Sequence, residues 1–249
     1  MRTLFLFFIG CLLPLGAQAE QTVRLMANTS PPYTDERLPD RGLAMEVVEH
    51  IFSRTDYTPE ITIDSWSRAL EGVSIGVYDA LASAWYTEAR GEQFLFSEAY
   101  LESDLILLKL RSQRANPRNL QNLTGARVGV RKDYAYGIDF SEIPDVQLVE
   151  EHHLIQNLLN LLSGRVHFVI GDRRTVVFQL NVYLKDQIHK FQVVNMELPG
   201  RARHIAASLE FKGHKDLVKA FNQALAAARK DGSYDAIIRK WDDRYPELK

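Results

Sequence analysis

The chain has 249 residues, a formal net charge of −2 and 46% apolar residues, which is the composition of a globular protein. It excludes a disordered or fibrous chain. The near-zero charge gives no basis for nucleic acid or an anionic membrane surface as a partner, and the length suits one large domain or two modest lobes.

Residues 1–19, MRTLFLFFIGCLLPLGAQA, have a basic start, an apolar run and the small-x-small ending Ala17-Gln18-Ala19. That is the pattern of a secretory leader, with cleavage expected after Ala19. The run is too short to span a membrane. Cys11 follows Gly10, as a lipid-modified cysteine does, but the apolar run before it is short and Phe8 fits that rival reading poorly. Cys11 is the single cysteine. Cleavage at Ala19 therefore leaves no disulfide, and burial must hold the exported protein together. A soluble protein of the periplasm is expected.

After the leader, "TVRLMA" alternates apolar and polar residues as a strand does. "SPPYTDERLPDRG" reads as a loop because prolines and polar residues crowd it. "LAMEVVEHIF" sets Leu43, Val47, Val48, Ile51 and Phe52 on one helical stripe. "PEITIDSW" is a second strand, "SRALEGVSIG" a short helix, and "YDALASAWY" a third strand. The alternation predicts an α/β layer with parallel strands and right-handed crossovers. "YLESDLILLKLRSQ" is extended and apolar in its middle, and reads as a strand passing between lobes. A second alternation follows: "NLQNLTG" a helical turn, "ARVGVRK" and "VQLVE" strands, "HLIQNLLNLLSG" a helix stopped by Gly164. Then come the buried strand "VHFVIGD" and the helix "RRTVVFQLNVYL". "FQVVNMELPGRARHIAASLEF" is extended again, a return crossing. The end is helical, with Ser233 placed as an N-cap. The boundaries expected are 20–107 for the first lobe, 108–196 for the second and 197–249 for the return to the first.

Two charged residues sit at strand ends, where open α/β sheets take ligands. Arg90 offers fixed donors that can grip a carboxylate with two parallel hydrogen bonds. It can equally be a surface arginine paired with Glu88 or Glu92. Asp172, after "HFVIG", can bind an ammonium group or cap the helix that begins near Arg173. Tyr33, Trp66, Trp85 and Tyr134 stand at loops or strand ends, where aromatic faces bind apolar or cationic groups, though such rings are commonly packing residues. His152-His153 lacks a third ligand at useful spacing, so no metal is expected. No nucleophile elbow, Walker loop or dinucleotide fingerprint is present, and no cofactor is expected.

In sequence order these pieces resemble a known family. "SPPYTDERLPDRGLAMEVVEHIF" is similar to the opening of periplasmic solute-binding proteins of polar amino-acid ABC importers. "SWSRALEGVSIGVYDALASAWYTEARGEQFLFSEAY" matches their helix, Gly-x-x-Asp strand, Thr-x-x-Arg and Phe-Ser-x-x-Tyr. "NLTGARVGV", "LLSGRVHFVIGD" and "FNQALAAARKDGSYDAIIRKW" fit the second lobe and closing helices. The resemblance covers nearly the whole exported chain. It implies a two-lobed periplasmic-binding fold, each lobe a mostly parallel sheet flanked by helices, joined by hinges near 104–110 and 194–204. It implies no enzymatic activity, a small-molecule ligand, a membrane ABC permease as partner, no nucleic acid, and a monomer.

By the same resemblance Arg90 holds the ligand's carboxylate and Asp172 its ammonium. Trp66 walls the pocket, a backbone N–H at Trp85 assists the arginine, and Ser83 lies where groups meet the ammonium. One departure is Asp133-Tyr134, where many members have Gly-Thr. Asp133 is expected to cap a helix there and to add negative charge, and Tyr134 to donate a hydrogen bond or supply a wall. Two other readings use the same scaffold. One is a dehydratase acting on small ring carboxylates, with Glu46, Asp133 or His167 as acid or base. The other is a ligand-sensing partner of a membrane receptor.

Overall fold

The computed structural model describes residues 21–244. The leader, its cleavage point and Cys11 lie outside the described residues.

The first alternation holds as β1 (Gln21–Asn28), α1 (Leu43–Phe52), β2 (Tyr57–Asp64), α2 (Trp66–Ser74) and β3 (Ala80–Trp85). The stripe expected on α1 is the face that packs: Leu43, Val47, Val48, Ile51 and Phe52 are all buried. β1 lies between β2 and β3, parallel to both. All six residues of β3 are buried, as a strand covered on both faces requires. A short helix α3 (Glu88–Gly91) and strands β4 (Phe94–Phe96) and β5 (Leu101–Ser103) follow.

The chain then changes sheets. β5 pairs with the return strand β11 (Arg201–Ser208), whereas β6 (Leu105–Leu110), one residue further on, pairs with strands of the second lobe. That lobe is built from β7 (Arg127–Arg131), β8 (Gln147–Glu151), α4 (Leu154–Leu162), β9 (Phe168–Asp172), α5 (Arg173–Tyr183) and β10 (Phe191–Val193). Its sheet order is β10-β6-β9-β7-β8, with β7 parallel to β8 and β9. The first sheet runs β2-β1-β3-β11-β4, with β5 also on β11. The two passages between sheets, at Asp104 and across 194–200, fall inside the segments read as hinges. Helices α6 (His214–Lys230) and α7 (Ser233–Arg244) close the first lobe. Buried Trp241 of α7 donates from Nε1 to Glu46 Oε2 at 2.6 Å.

One local expectation fails. No helix follows Asp133, whose backbone is left-handed at φ 61°. Regular structure resumes only at the single turn Phe140–Glu142, capped by Asp139. Aromatic burial overrides helix formation here. Tyr136 is buried against Trp85, and its hydroxyl accepts from the Arg131 amide at 2.9 Å.

Gly42 shows how the sequence ties a loop to a helix. It sits at φ 107°, and a Cβ there would collide with the carbonyls of Tyr33 and Pro32. Because it has none, the first amides of α1 reach those carbonyls: Leu43 to Pro32 and Ala44 to Tyr33, both 2.9 Å. The orphan donors of the helix start thereby fix the position of Tyr33. Gly42→Ala is expected to cost more than about 1 kcal/mol in urea unfolding, from strain and collision together. An unchanged midpoint would show that the loop is not locked to the helix.

Candidate functional site

The carboxyl ends of the parallel strands of both sheets face one cleft. β1 ends at Asn28, β3 at Trp85, β7 at Arg131 and β9 at Asp172. This is where an open α/β layer leaves polar groups free to meet a ligand.

Arg90 reaches the cleft from α3. Thr87 caps that turn, its hydroxyl accepting from the Arg90 amide at 3.1 Å. The guanidinium then folds back over the Trp66 ring, 4.6 Å from its centroid. It donates to the Trp85 carbonyl at 2.9 Å and to the Asp133 carbonyl, in the other lobe, at 3.2 Å. Its hydrogen bonds therefore go to backbone and not to Glu88 or Glu92. Burial, and then the like charge of Arg201, lower Arg90 to about 10, so it is still a cation at neutral pH.

Asp172 serves both uses read from the sequence pattern. As the N-cap of α5, its Oδ1 accepts from the Thr175 amide at 3.1 Å and from the Thr175 hydroxyl at 3.3 Å. Its Oδ2 accepts from the Tyr33 hydroxyl, across the lobes, at 3.0 Å. Tyr33 is fully buried, and burial, followed by the charge of Asp172, raises its pKa far above the usual tyrosine value.

Above the Tyr33 ring lies Arg203, its guanidinium carbon 3.7 Å from the ring centroid. Only 4% of this residue is exposed. It donates from Nη1 to Ser83 Oγ at 3.1 Å, and its Nε has no acceptor among the described residues. Burial opposes this charge, but Tyr33 and Asp172 outweigh it and leave the pKa above its ordinary value. Ser83, expected to meet a ligand's ammonium, lines the cavity and accepts from this guanidinium.

Tyr134 enters from the second lobe. Its hydroxyl accepts from Asn28 Nδ2 at 2.7 Å, and its ring meets Trp85 edge-on at 5.4 Å. Arg131 stacks on the ring, its guanidinium carbon 4.2 Å from the centroid, and donates across the lobes to Ser30 and to the Thr29 carbonyl, both at 3.3 Å. Trp66, Ser83, Trp85, Arg90 and Tyr134 line one cavity of about 20 Å³. Asp172, with Trp85 and Tyr134, lines a second of about 10 Å³. Trp85, Tyr134 and Arg203 line both, so the Tyr134 ring stands between them. Each holds a water at most. A hollow of about 600 Å³ opens on the outer side of Trp66 and Tyr134, and Arg131 and Lys132 also line it.

Seven of the eight residues read from the sequence thus gather at the cleft, Tyr33 from just behind it. Asp133 stays at the exposed rim. Its carboxylate accepts from Ser67 Oγ at 3.3 Å, and it is the carbonyl that meets Arg90. The sequence reading missed Arg203, Arg131 and Asn28. Arg131 and Asn28 end strands, the same signal that singled out Arg90. Arg201 and Arg203 sit two apart in an extended segment and so share a face. Among the described residues no group of three or more His, Cys, Asp or Glu side chains could hold a metal ion.

Comparison with known proteins gives a family and a fold. Residues 24–243 match the family described as bacterial extracellular solute-binding proteins, family 3. The ABC transporter arginine-binding protein 1 of Escherichia coli (strain K12) is 21% identical over 246 residues, covering 97% of this chain and 99% of that protein. The arginine-binding periplasmic protein of Mannheimia haemolytica is 23% identical, covering 96% and 98%. A crystal structure of a mutant of ArgBP from T. maritima superposes with a TM-score of 0.76 at 19% identity, covering 91% of this chain and 97% of that one. At that identity the structural likeness establishes the shared fold.

Tyr33→Phe removes the hydroxyl that satisfies buried Asp172. It is expected to lower stability by about 1–3 kcal/mol in thermal or urea unfolding, the cost of leaving a buried acceptor short of a partner. An unaltered stability would show that the Tyr33–Asp172 bond does not form in solution.

Proposed function

The chain belongs to the bacterial extracellular solute-binding proteins, family 3, and we propose that it is a periplasmic receptor for an amino acid or related small carboxylate. It works by hinge closure and hands its ligand to the membrane permease of an ABC importer. The observation that carries this reading is the pairing of opposite charges on facing walls of one cleft. Arg90 comes from the first lobe and Asp172 from the second, each at the carboxyl end of its sheet.

A ligand that touches both walls interacts more strongly with the closed form than with the open one, and only such a difference moves the equilibrium. In this reading, closure makes the bonds that cross the cleft: Tyr33 to Asp172, Asn28 to Tyr134, and Arg90 to the Asp133 carbonyl. Rotation about Asp104 and 194–200 draws Tyr134 away from Asn28, Trp66 and Trp85, since the ring belongs to one lobe and those residues to the other. The two small cavities then merge with the larger hollow, and the pocket admits a solute. Closing again expels water and strengthens the charge-assisted bonds that remain. At the outer edge, the Arg174–Asp242 ion pair at 2.7 Å also spans the lobes. Both partners are partly exposed, so it adds about 1 kcal/mol at most.

The enzyme reading loses support from the placement of its acid–base candidates. Glu46 faces away from the cleft, bound to Trp241 and Lys240. His167 sits at the opposite end of β9 from Asp172, accepting from the Arg127 amide. Asp133 is at the rim. A binding protein with no chemistry of its own fits these positions better. Export by the leader peptide and action as a monomer complete the proposal.

Arg90→Ala is expected to weaken binding of the ligand at least about tenfold, the loss of roughly 1.4 kcal/mol, with the fold intact by circular dichroism. Calorimetry on the folded variant that returns the wild-type affinity would remove Arg90 from the carboxylate site.

A further inference from the structure

We propose that the cleft selects a dicarboxylate: a small acid whose two carboxylate groups are taken up by separate guanidinium groups. This rests on reading the cleft as the solute site. The charged residues that line the two cavities are Arg90, Arg131, Arg203 and Asp172, three cations against one anion. Among the described residues, none of the three arginines has a carboxylate as a hydrogen-bond partner. Arg90 and Arg131 spend their donors on backbone carbonyls and a serine, and Arg203 on Ser83 alone. Arg37, on the surface, has Asp35 at 2.8 Å instead.

A buried cation without a counter-ion is costly, and truncating its surroundings does not cure it; an anion from outside does. A neutral amino acid brings one carboxylate for Arg90 and one ammonium for Asp172, and offers no carboxylate to Arg131 or Arg203. A cationic amino acid adds a third positive charge to a cleft whose single lining acid is already engaged by Thr175 and Tyr33. Only a second carboxylate lowers the excess.

The orphaned atoms point the same way. Among the residues lining the cavities, two buried polar atoms have no partner, Trp66 Nε1 and Arg203 Nε, and both are donors. Their missing partners are acceptor oxygens. Arg201, beside the cleft with its own unpartnered Nε, and Lys132 at the mouth add positive charge along the way in. Fields of one sign steer small ions of the other into a cleft.

Acidic amino acids and plain dicarboxylic acids share this chemistry, and they differ in whether Asp172 receives an ammonium. Calorimetric titration of the purified protein with glutamate, aspartate, succinate and 2-oxoglutarate on one side, and arginine, lysine, histidine and glutamine on the other, tests the proposal. At least one of the first four is expected to bind about 100-fold more tightly than any of the second four. Preference for glutamate or aspartate over succinate assigns the ammonium to Asp172, and the reverse order assigns none. If arginine or glutamine binds more tightly than every dicarboxylate, the selectivity is overturned while the receptor reading stands. If nothing in either group binds, the cleft is not the solute site and both fall. Arg203→Gln is expected to cut dicarboxylate affinity more than tenfold and to leave monocarboxylate affinity nearly unchanged. A variant whose two affinities drop equally would mean that Arg203 only supports the fold, and if it does not fold, the wild-type panel still decides.

Discussion

Arg203 carries a positive charge into the interior, where the Tyr33 ring lies beneath it, Ser83 beside it and Asp172 beyond the tyrosine hydroxyl. That stack reaches from the first lobe to the second. Its geometry depends on features far along the chain. Gly42 lets the Tyr33 loop rest on the start of α1, the return strand β11 brings Arg203 alongside β3, and the cap of α5 fixes Asp172. A buried cation demands compensation, so the site around it is organised to receive negative charge. The aromatic residues serve the same end. Trp66, Tyr33 and Tyr134 each carry a guanidinium on a ring face, which orients the donors without neutralising them.

The strand–helix order was legible because α1 has a strong helical apolar period and β3 and β9 are short, largely apolar runs, and the fold follows from that order and the handedness of crossovers. Asp172 was legible because a charge at the end of an apolar strand stands out, and Arg90 because it is the lone arginine of the turn that follows such a strand. Arg203 was not, since nothing in "GRARHIAAS" says which sheet the segment joins. Its importance appears only when β11 inserts between β3 and β4, a pairing across more than a hundred residues. The expected helix at Asp133 fails for a related reason. The local pattern allows a cap, but burial of Tyr136 against Trp85, from the other lobe, decides the backbone there. Long-range contacts override local propensity in both places.

The family sets the architecture and the mode of action, and the lining residues set what is bound. Relatives at 21% and 23% identity carry names that specify arginine. Identity that low leaves a pocket free to change its charge while its sheets stay in place. Here the cleft carries an excess of guanidinium groups and one acid already in use, an arrangement that receives negative charge and repels a cationic side chain.

The most direct measurement is a crystal structure of the protein with the solute that binds it most tightly. This account predicts the solute between the lobes, with carboxylate oxygens within about 3 Å of Arg90 and Arg203, and Tyr134 displaced from its place between the two small cavities. A solute bound outside the cleft, or one inside it whose oxygens touch neither guanidinium, would contradict it.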